Sequence, residues 1–179
     1  MRDEDERVIL VDATDEEIGT AGKLEAHERG ELHRAFSVFI LNARNELLLQ
    51  RRADGKYHGG GLWSNSCCGH PRPGEETAAA ARRRLGEEMG IDCPLERLFS
   101  FIYRAEMAGG LTEHEIDHVF VGRYDGEPHP DPREVGAWEW VPAERVRRSL
   151  AARPEDYTPW FEAALSGLLV RSDVTETTP

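Results

Sequence analysis

The chain has 179 residues, with 34 acidic residues against 22 lysines and arginines, and its formal net charge is −12. Its hydrophobic share of 39% is that of a soluble folded protein and excludes intrinsic disorder. Nucleic acids and anionic membranes bind basic surfaces, so neither is an expected partner, and no apolar run is long enough to span a bilayer. Three cysteines and no signal-peptide pattern predict a reducing cytoplasm, and we expect a monomer or a weak homodimer.

The first part of the chain predicts strands separated by turns. Residues 7–12 (RVILVD) predict a first strand, and the polar stretch 23–34, broken by a glycine, is typical of a loop or short helix. The apolar runs 35–42 and 46–52 flank the turn sequence ARN and predict a β-hairpin. Residues 54–76 then predict a glycine-rich loop.

The second part of the chain mixes helices and strands without strict alternation. Residues 75–90 are rich in alanine and end at a glycine, which predicts a helix. Strands are predicted over 97–107, 112–124 and 137–141, and helices over 142–154 and 158–170, the last with Thr158 as its cap and Pro159 in its first turn. This order predicts an α+β fold with a mixed sheet in one domain, residues 1–179, with loose termini at about 1–7 and 172–179.

The stretch 65–71 (NSCCGHP) places two cysteines close to a histidine. Structural, metal-binding and catalytic roles are all open to it. Adjacent residues of an extended chain point in opposite directions, so only one of Cys67 and Cys68 can reach a given cavity. A free cysteine is often core filling, and that is our reading of Cys67. If one of the thiols is catalytic, His70 and nearby N–H groups could poise it.

A second group of residues suits a metal ion. If residues 112–124 form a strand, Glu113 and Glu115 lie on the same face, where two like charges are costly unless a cation lies between them. With His27, His33 and His70 they could supply three nitrogen and two oxygen ligands to Zn²⁺, Mn²⁺ or Mg²⁺, leaving a vacant position. The alternative is an exposed strand face with histidines that only satisfy local hydrogen bonds.

The helix over 75–90 carries a further pattern. It resembles the Nudix box, a loop-helix-loop motif, and the matching residues are Gly69, Glu75, Arg83, Leu85, Glu87, Glu88, Gly90 and Ile91. The resemblance implies a Nudix-type α/β/α sandwich with a mixed central sheet. One position departs from the motif: Arg84 stands where Nudix hydrolases have a metal-binding glutamate, which argues against diphosphate hydrolysis.

Taken in order, the motifs from about residue 8 to residue 160 resemble the type 1 isopentenyl-diphosphate isomerases of the Nudix superfamily. That family's thiol motif N-S-x-C-G-H-P matches residues 65–71, which implies that Cys68 is the catalytic thiol and Cys67 occupies the variable position. The resemblance also implies catalytic roles for Glu115 and for Tyr103, in the sequence YRA.

The same resemblance implies the ligand-binding residues. A transition metal, Mn²⁺ or Zn²⁺, would be bound by His27, His33, His70, Glu113 and Glu115. A Mg²⁺ that accompanies the substrate diphosphate would be bound near Glu88. The diphosphate itself would contact Lys23, Arg52 and Lys56, and Trp160 would face the hydrocarbon. Trp63 could add a second wall, whereas Trp138 and Trp140 are expected in the core.

The implied reaction, part of isoprene biosynthesis, moves a double bond between isopentenyl and dimethylallyl diphosphate. It needs an acid and a base on opposite sides of a five-carbon chain, and we expect Glu115 to donate the first proton and the Cys68 thiolate to accept the second. Two alternatives remain: a Nudix hydrolase that uses Glu75, Glu87 and Glu88 with Mg²⁺, and a module that only binds a diphosphate.

Overall fold

The structure is a computed structural model, and it describes residues 6–56 and 59–171. The chain starts with the antiparallel strands β1 (Arg7–Val11) and β2 (Glu17–Gly22), followed by the short helix α1 (Lys23–Arg29). The helix ends at Gly30, whose φ of 63° is the left-handed conformation that glycine adopts without strain. Of the termini predicted to be loose, residues 1–5 and 172–179 lie outside the described residues, and Arg7 is the first residue of β1.

A mixed sheet forms the centre of the fold. Its buried strand β3 (His33–Leu41) runs parallel to β8 (Thr112–Arg123), in a register that pairs His33 with Glu115. The long strand β7 (Leu95–Glu106) lies antiparallel to β8. The strand β4 (Glu46–Arg52) pairs with β9 (Val135–Pro142) and with the short strand β5 (Trp63–Ser64).

The predicted hairpin is formed only at its turn. Strands β3 and β4 pair at Leu41 and Leu47. Earlier in β3, residues 36–38 pair antiparallel with the strand β6 (Cys67–Gly69). The glycine-rich loop predicted over 54–76 therefore contains two strands, β5 and β6. This pairing fixes the cysteine motif against the most buried strand of the sheet.

Helices cover both faces of the sheet. On one face, α2 (Thr77–Met89) packs Ala80, Ala81, Leu85 and Met89 against a core that includes Phe36 and Phe120. On the other face, α3 (Ala143–Ala152) and α4 (Phe161–Arg171) pack on Phe39 and Val119. The predicted α/β/α sandwich is confirmed. Within the described residues, no helix combines the length and the apolar character needed to cross a membrane.

The start of the last helix differs from the prediction. Helix α4 begins at Phe161, so Pro159 lies in the preceding turn and not in the first turn of the helix. Thr158 is not the capping residue, because it lies three positions before the helix, and its hydroxyl is 2.9 Å from the hydroxyl of Ser64 in β5. This contact holds the segment before α4 against the strand that leads to the cysteine motif.

Candidate active site

A cavity of about 220 Å³ opens between the N-terminal segment, β6, α2 and β8. Most of the residues that the sequence pointed to line it, although they come from distant parts of the chain. These residues are Lys23, Arg52, Lys56, Cys68, His70, Glu88, Tyr103, Glu113, Glu115 and Trp160. The other two, His27 and His33, are fully buried next to it.

Three histidines and one glutamate converge at one end of the cavity. One ligand atom from each of His27, His33, His70 and Glu115 lies within 4.8 Å of the others. The register of β3 with β8 places His33 beside Glu115, and the last turn of α1 supplies His27. His70 follows β6, and its Nε2 is 2.8 Å from Oε1 of Glu115.

The ring orientations of this cluster fit a metal ion. Nδ1 of His27 is 2.6 Å from the carbonyl oxygen of Lys23, and Nδ1 of His33 is 2.8 Å from that of Glu31. A carbonyl only accepts, so each Nδ1 carries the proton and each Nε2 offers a lone pair towards the cluster. Nε2 of His33 is buried and makes no hydrogen bond within the described part of the chain. Imidazoles with a carboxylate are a donor set suited to Zn²⁺ or Mn²⁺.

Glu113 lies beside this cluster but outside its 4.8 Å group. Its Oε2 is 3.6 Å from Nε2 of His27 and accepts a hydrogen bond of 3.1 Å from Tyr103. The same Tyr103 hydroxyl is 2.6 Å from Oε2 of Glu115, so its single proton is shared between the two carboxyl groups. Tyr103 therefore bridges the two carboxylates that the sequence placed on one strand face, and the metal-binding role of Glu113 stays a prediction.

Burial shifts the acid–base groups of the cluster. The pKa of Glu115 is raised by burial and by the nearby charge of Glu113, so its protonated form is favoured. Burial and the neighbouring His33 lower the pKa of His70 well below its usual value, so the ring is neutral and able to bind a cation. Burial also raises the pKa of Tyr103, which keeps its hydroxyl protonated and able to donate.

The two neighbouring cysteines separate as the alternation predicts. Cys67 is completely buried in the core under α2, whereas Cys68 faces the cavity. Burial raises the pKa of Cys68 to about 12, even though the charge of Arg52, whose Nη1 is 3.3 Å from the sulfur, opposes the rise. The expectation that His70 activates the thiol is not supported, because its Nε2 contacts Glu115 and the cation beside the sulfur is Arg52.

Several cations that line the cavity are paired with carboxylates. Lys23 contacts Glu6 at 2.9 Å, and Lys56 forms an ion pair with Glu134. Arg84 also lines the cavity, and its Nη2 is 2.6 Å from Glu88 and 3.4 Å from Glu134. The sequence showed Arg84 only as a departure from the hydrolase motif. That departure was the available signal that a cation belongs at this position.

The other two glutamates of the Nudix-box pattern, one just before α2 and one in its last turn, also form ion pairs with arginines. Glu75 accepts two hydrogen bonds from Arg83, at 2.7 and 2.8 Å, and Glu87 contacts both Arg83 and Arg84. Neither glutamate lines the cavity. The hydrolase alternative needs Glu75 and Glu87 at a metal ion beside the substrate, and the geometry does not bring them there.

A further acidic residue of the cavity, Asp117, was not predicted from the sequence. Asp117 follows Glu115 by two positions on β8, and its Oδ2 accepts a hydrogen bond of 2.7 Å from Ser37. Burial and the charge of Glu115 raise its pKa to about 8. The alternation of the strand, applied one step beyond Glu115, would have placed Asp117 on the same face.

The tryptophans divide mostly as expected. Trp160 lines the cavity, and the guanidinium of Arg52 lies 5.6 Å from the centre of its ring. Trp138 and Trp140 pack against the core under α2, as predicted. Trp63 does not form a wall of the cavity, because it packs against the core on the α3 and α4 face.

Comparisons with known proteins agree with this geometry. The NUDIX domain family matches residues 31–161. An isopentenyl-diphosphate Delta-isomerase 2 from Aromatoleum aromaticum is 53% identical over 92% of this chain and 87% of its own length. An isopentenyl-diphosphate Delta-isomerase from Serratia proteamaculans is 49% identical over 92% of each chain.

Solved structures support the same fold. The protein DR0079 from Deinococcus radiodurans has a TM-score of 0.69 and 25% identity, covering 82% of this chain and 90% of its own. A MutT protein from Methanosarcina mazei has a TM-score of 0.63 and 20% identity, covering 75% of this chain and 91% of its own. With a NUDIX match over most of its length and relatives at about half identity, the chain belongs to the isopentenyl-diphosphate Delta-isomerase family.

Proposed function

We propose that this protein interconverts isopentenyl diphosphate and dimethylallyl diphosphate. The observation that carries the proposal is that a thiol, Cys68, and a carboxyl, Glu115, line one cavity together with several cations. The family membership and the names of the relatives support the same activity. The cations, Lys23, Arg52, Lys56 and Arg84, would contact the diphosphate.

The residues divide the proton transfers between two walls. Glu115, whose raised pKa favours the protonated form, gives a proton to the terminal alkene carbon, and Tyr103 holds its carboxyl in place. The neighbouring carbon then carries cationic character, and Cys68 removes a proton from the adjacent CH₂ group. Arg52 offsets part of the effect of burial, which raises the pKa of the thiol, and so lowers the cost of the ionised form that this step requires. In the reverse direction the two roles exchange.

The positive charge of the intermediate needs electron density without a nucleophile. The indole face of Trp160 supplies it, since a cation over a desolvated tryptophan is stabilised by about 2 kcal/mol or more. The residues that would hold the metal are His27, His33, His70 and Glu115, with Glu113 beside them, and Mg²⁺ would bind with the diphosphate near Glu88. When bound, the metal fixes the position of Glu115 and tunes its proton affinity.

Isotope incorporation tests the activity directly. The protein is incubated with isopentenyl diphosphate in D₂O, with Mg²⁺ and either Mn²⁺ or Zn²⁺, with and without a chelator. We expect dimethylallyl diphosphate with deuterium on carbon, and no such product with the chelator. Binding without deuterium incorporation would mean that the protein is only a binding module. Phosphate release from nucleoside diphosphate derivatives would favour a hydrolase.

The sequence-based predictions of a cytoplasmic location and of a monomer or weak homodimer are part of this proposal. The three cysteines are free, as expected in a reducing compartment.

A further inference from the structure

The side chain of Asn65 joins the two walls of the cavity. It is completely buried and lies between β5 and β6. Its Nδ2 donates to the carbonyl oxygens of Cys67 at 2.5 Å and Val38 at 3.2 Å. Its Oδ1 accepts from the hydroxyl of Ser64 at 2.9 Å and from Nε1 of Trp160 at 3.3 Å. All four hydrogen bonds that an asparagine amide can make are therefore present.

The directions of these hydrogen bonds fix the orientation of the amide. An indole N–H can only donate, so the atom facing Trp160 is the oxygen. Ser64 donates its single proton to the same oxygen, and the hydroxyl of Thr158, 2.9 Å away, must then donate to Ser64. Two donors thus converge on Oδ1, while two carbonyls take both protons of Nδ2.

We propose that Asn65 is a positioning residue that sets the indole plane of Trp160 relative to Cys68. The amide holds the backbone immediately before Cys68 on one side and the ring of Trp160 on the other. This inference rests on the proposed function, in which the indole stabilises the cation while Cys68 removes a proton. A shift of either wall would separate the cation from one of the two groups.

No other residue of similar size repeats this set of contacts. Aspartate would place an acceptor against the carbonyl oxygens of Cys67 and Val38, and leucine would leave two carbonyls and an indole N–H buried without partners. Such buried, unpaired groups carry a large penalty. The position therefore requires two donors and an acceptor on one planar group.

A double-mutant cycle tests this role. The kcat and KM for isopentenyl diphosphate are measured for Asn65→Ala, Trp160→Phe and the double variant. Because phenylalanine has no N–H, we expect Asn65→Ala to lower kcat about 10- to 100-fold with native Trp160, but less than about 3-fold with Phe at position 160. The KM should change less than about 2-fold, since Asn65 does not line the cavity. An equal loss of kcat in both backgrounds would overturn the proposal.

The matched control is Asn42→Ala. Asn42 is also buried, and its amide binds Glu46 and two backbone N–H groups at the turn after β3, so its loss should leave kcat unchanged. If Asn65→Ala does not fold, Thr158→Val is the second variant. It removes the hydroxyl that donates to Ser64, which is the first donor in the series of hydrogen bonds that leads to Asn65. It should lower kcat about 3-fold with native Trp160 and have no effect with Phe at position 160, and equal effects would again contradict the proposal.

A second measurement does not depend on activity. The indole N–H signal of Trp160, assigned by its loss in Trp160→Phe, should exchange with solvent at least about 10-fold faster in Asn65→Ala. Unchanged exchange would overturn the positioning role. If the native protein does not isomerise isopentenyl diphosphate, the proposed function fails, whereas the exchange rate still reports whether Asn65 holds the indole.

Discussion

At the scale of single residues, the side-by-side cysteines offer an internal comparison. Cys68 faces the cavity, and Cys67 is buried under α2. We expect Cys68→Ala to lower kcat about 10²- to 10⁴-fold, the usual range for loss of an acid–base group. The control Cys67→Ala should keep its turnover and lose about 1 kcal/mol of unfolding free energy. Turnover near the native value in Cys68→Ala would reject the catalytic assignment.

Substitution of Tyr103 tests the role of the Glu115 carboxyl. Phenylalanine at this position removes the hydroxyl that lies 2.6 Å from Glu115 and 3.1 Å from Glu113. An ordinary hydrogen bond contributes about 0.5–1.5 kcal/mol, so we expect Tyr103→Phe to lower kcat about 3- to 10-fold. Tyr124, whose hydroxyl donates to the carbonyl oxygen of Glu127 at 3.5 Å, is the control, and Tyr124→Phe should not change the rate. Equal rates for the two variants would contradict the proposed role of Tyr103.

The sequence could identify a site residue only where a short motif or the alternation of one strand marked its position. Cys68 lies in a contiguous motif, and Glu115 follows from alternation along one strand. Asn65 could not be given a role, because its partner Trp160 is 95 residues away in the chain, and the same holds for the contact of Arg84 with Glu134. Such pairs are set by the packing of α2 and α4, which a sequence pattern does not contain.

At the scale of secondary-structure elements, α2 shows how a hydrolase-like helix loses its metal site. Substituting Arg84→Glu restores the glutamate of the Nudix motif, but Glu75 remains bound to Arg83, away from the cavity. We expect phosphate release from nucleoside diphosphate derivatives to stay at background. The KM for isopentenyl diphosphate should rise at least about 10-fold, because a cavity cation is replaced by an anion. Measurable hydrolysis would show that Arg84 alone blocks that chemistry.

The ion pair between Glu75 and Arg83 predicts a pH dependence of stability. Hydrogen bonds from Arg83 lower the pKa of Glu75 below its usual 4.5, so folding favours the ionised carboxylate. The resulting stability is present above pH 4.5 and is lost as the pH falls through the folded-state value. We expect Arg83→Gln to flatten this acid limb in denaturant titrations between pH 5 and 3. Arg147→Gln, an exposed control on α3, should leave it unchanged.

The strands that sequence analysis missed are short or poor in apolar residues. In β2 (EIGTAG) two glycines interrupt the pattern, and Ile18 is 68% exposed, so no alternation appears. Strands β5 and β6 have two and three residues and form because β4 and β3 offer free edges. Helix α2 and strands β7, β8 and β9 carry strong local patterns, and they were predicted within a few residues.

At the scale of the whole molecule, the buried metal cluster links stability to metal binding. A ligand that binds only the folded state stabilises it by about 2.7 kcal/mol at 100 times its Kd. We expect Mn²⁺ or Zn²⁺ to raise the Tm of chelator-treated protein, and His33→Gln to abolish this rise. His114→Gln, which removes a neighbouring imidazole outside the group, should keep it. A Tm insensitive to metal would contradict the site.

The overall architecture followed from the sequence because the Nudix-box resemblance covers the central helix and its loops. The convergence of His33 with Glu115 required the parallel pairing of β3 with β8, whose partners lie 82 positions apart in the chain. That pairing is a property of the assembled sheet.

The ion pairs of Lys23 and Lys56, two cations that line the cavity, affect how an anion can bind there. Lys23 and Lys56 are paired with Glu6 and Glu134, so under the proposed function a diphosphate that bound these lysines would displace the two carboxylates. Such a swap leaves the number of ion pairs nearly constant, so affinity should respond only weakly to added salt. The displaced carboxylates would remain close by, and a divalent cation that binds with the substrate could neutralise them. In this way a chain of net charge −12 could bind a strongly anionic ligand.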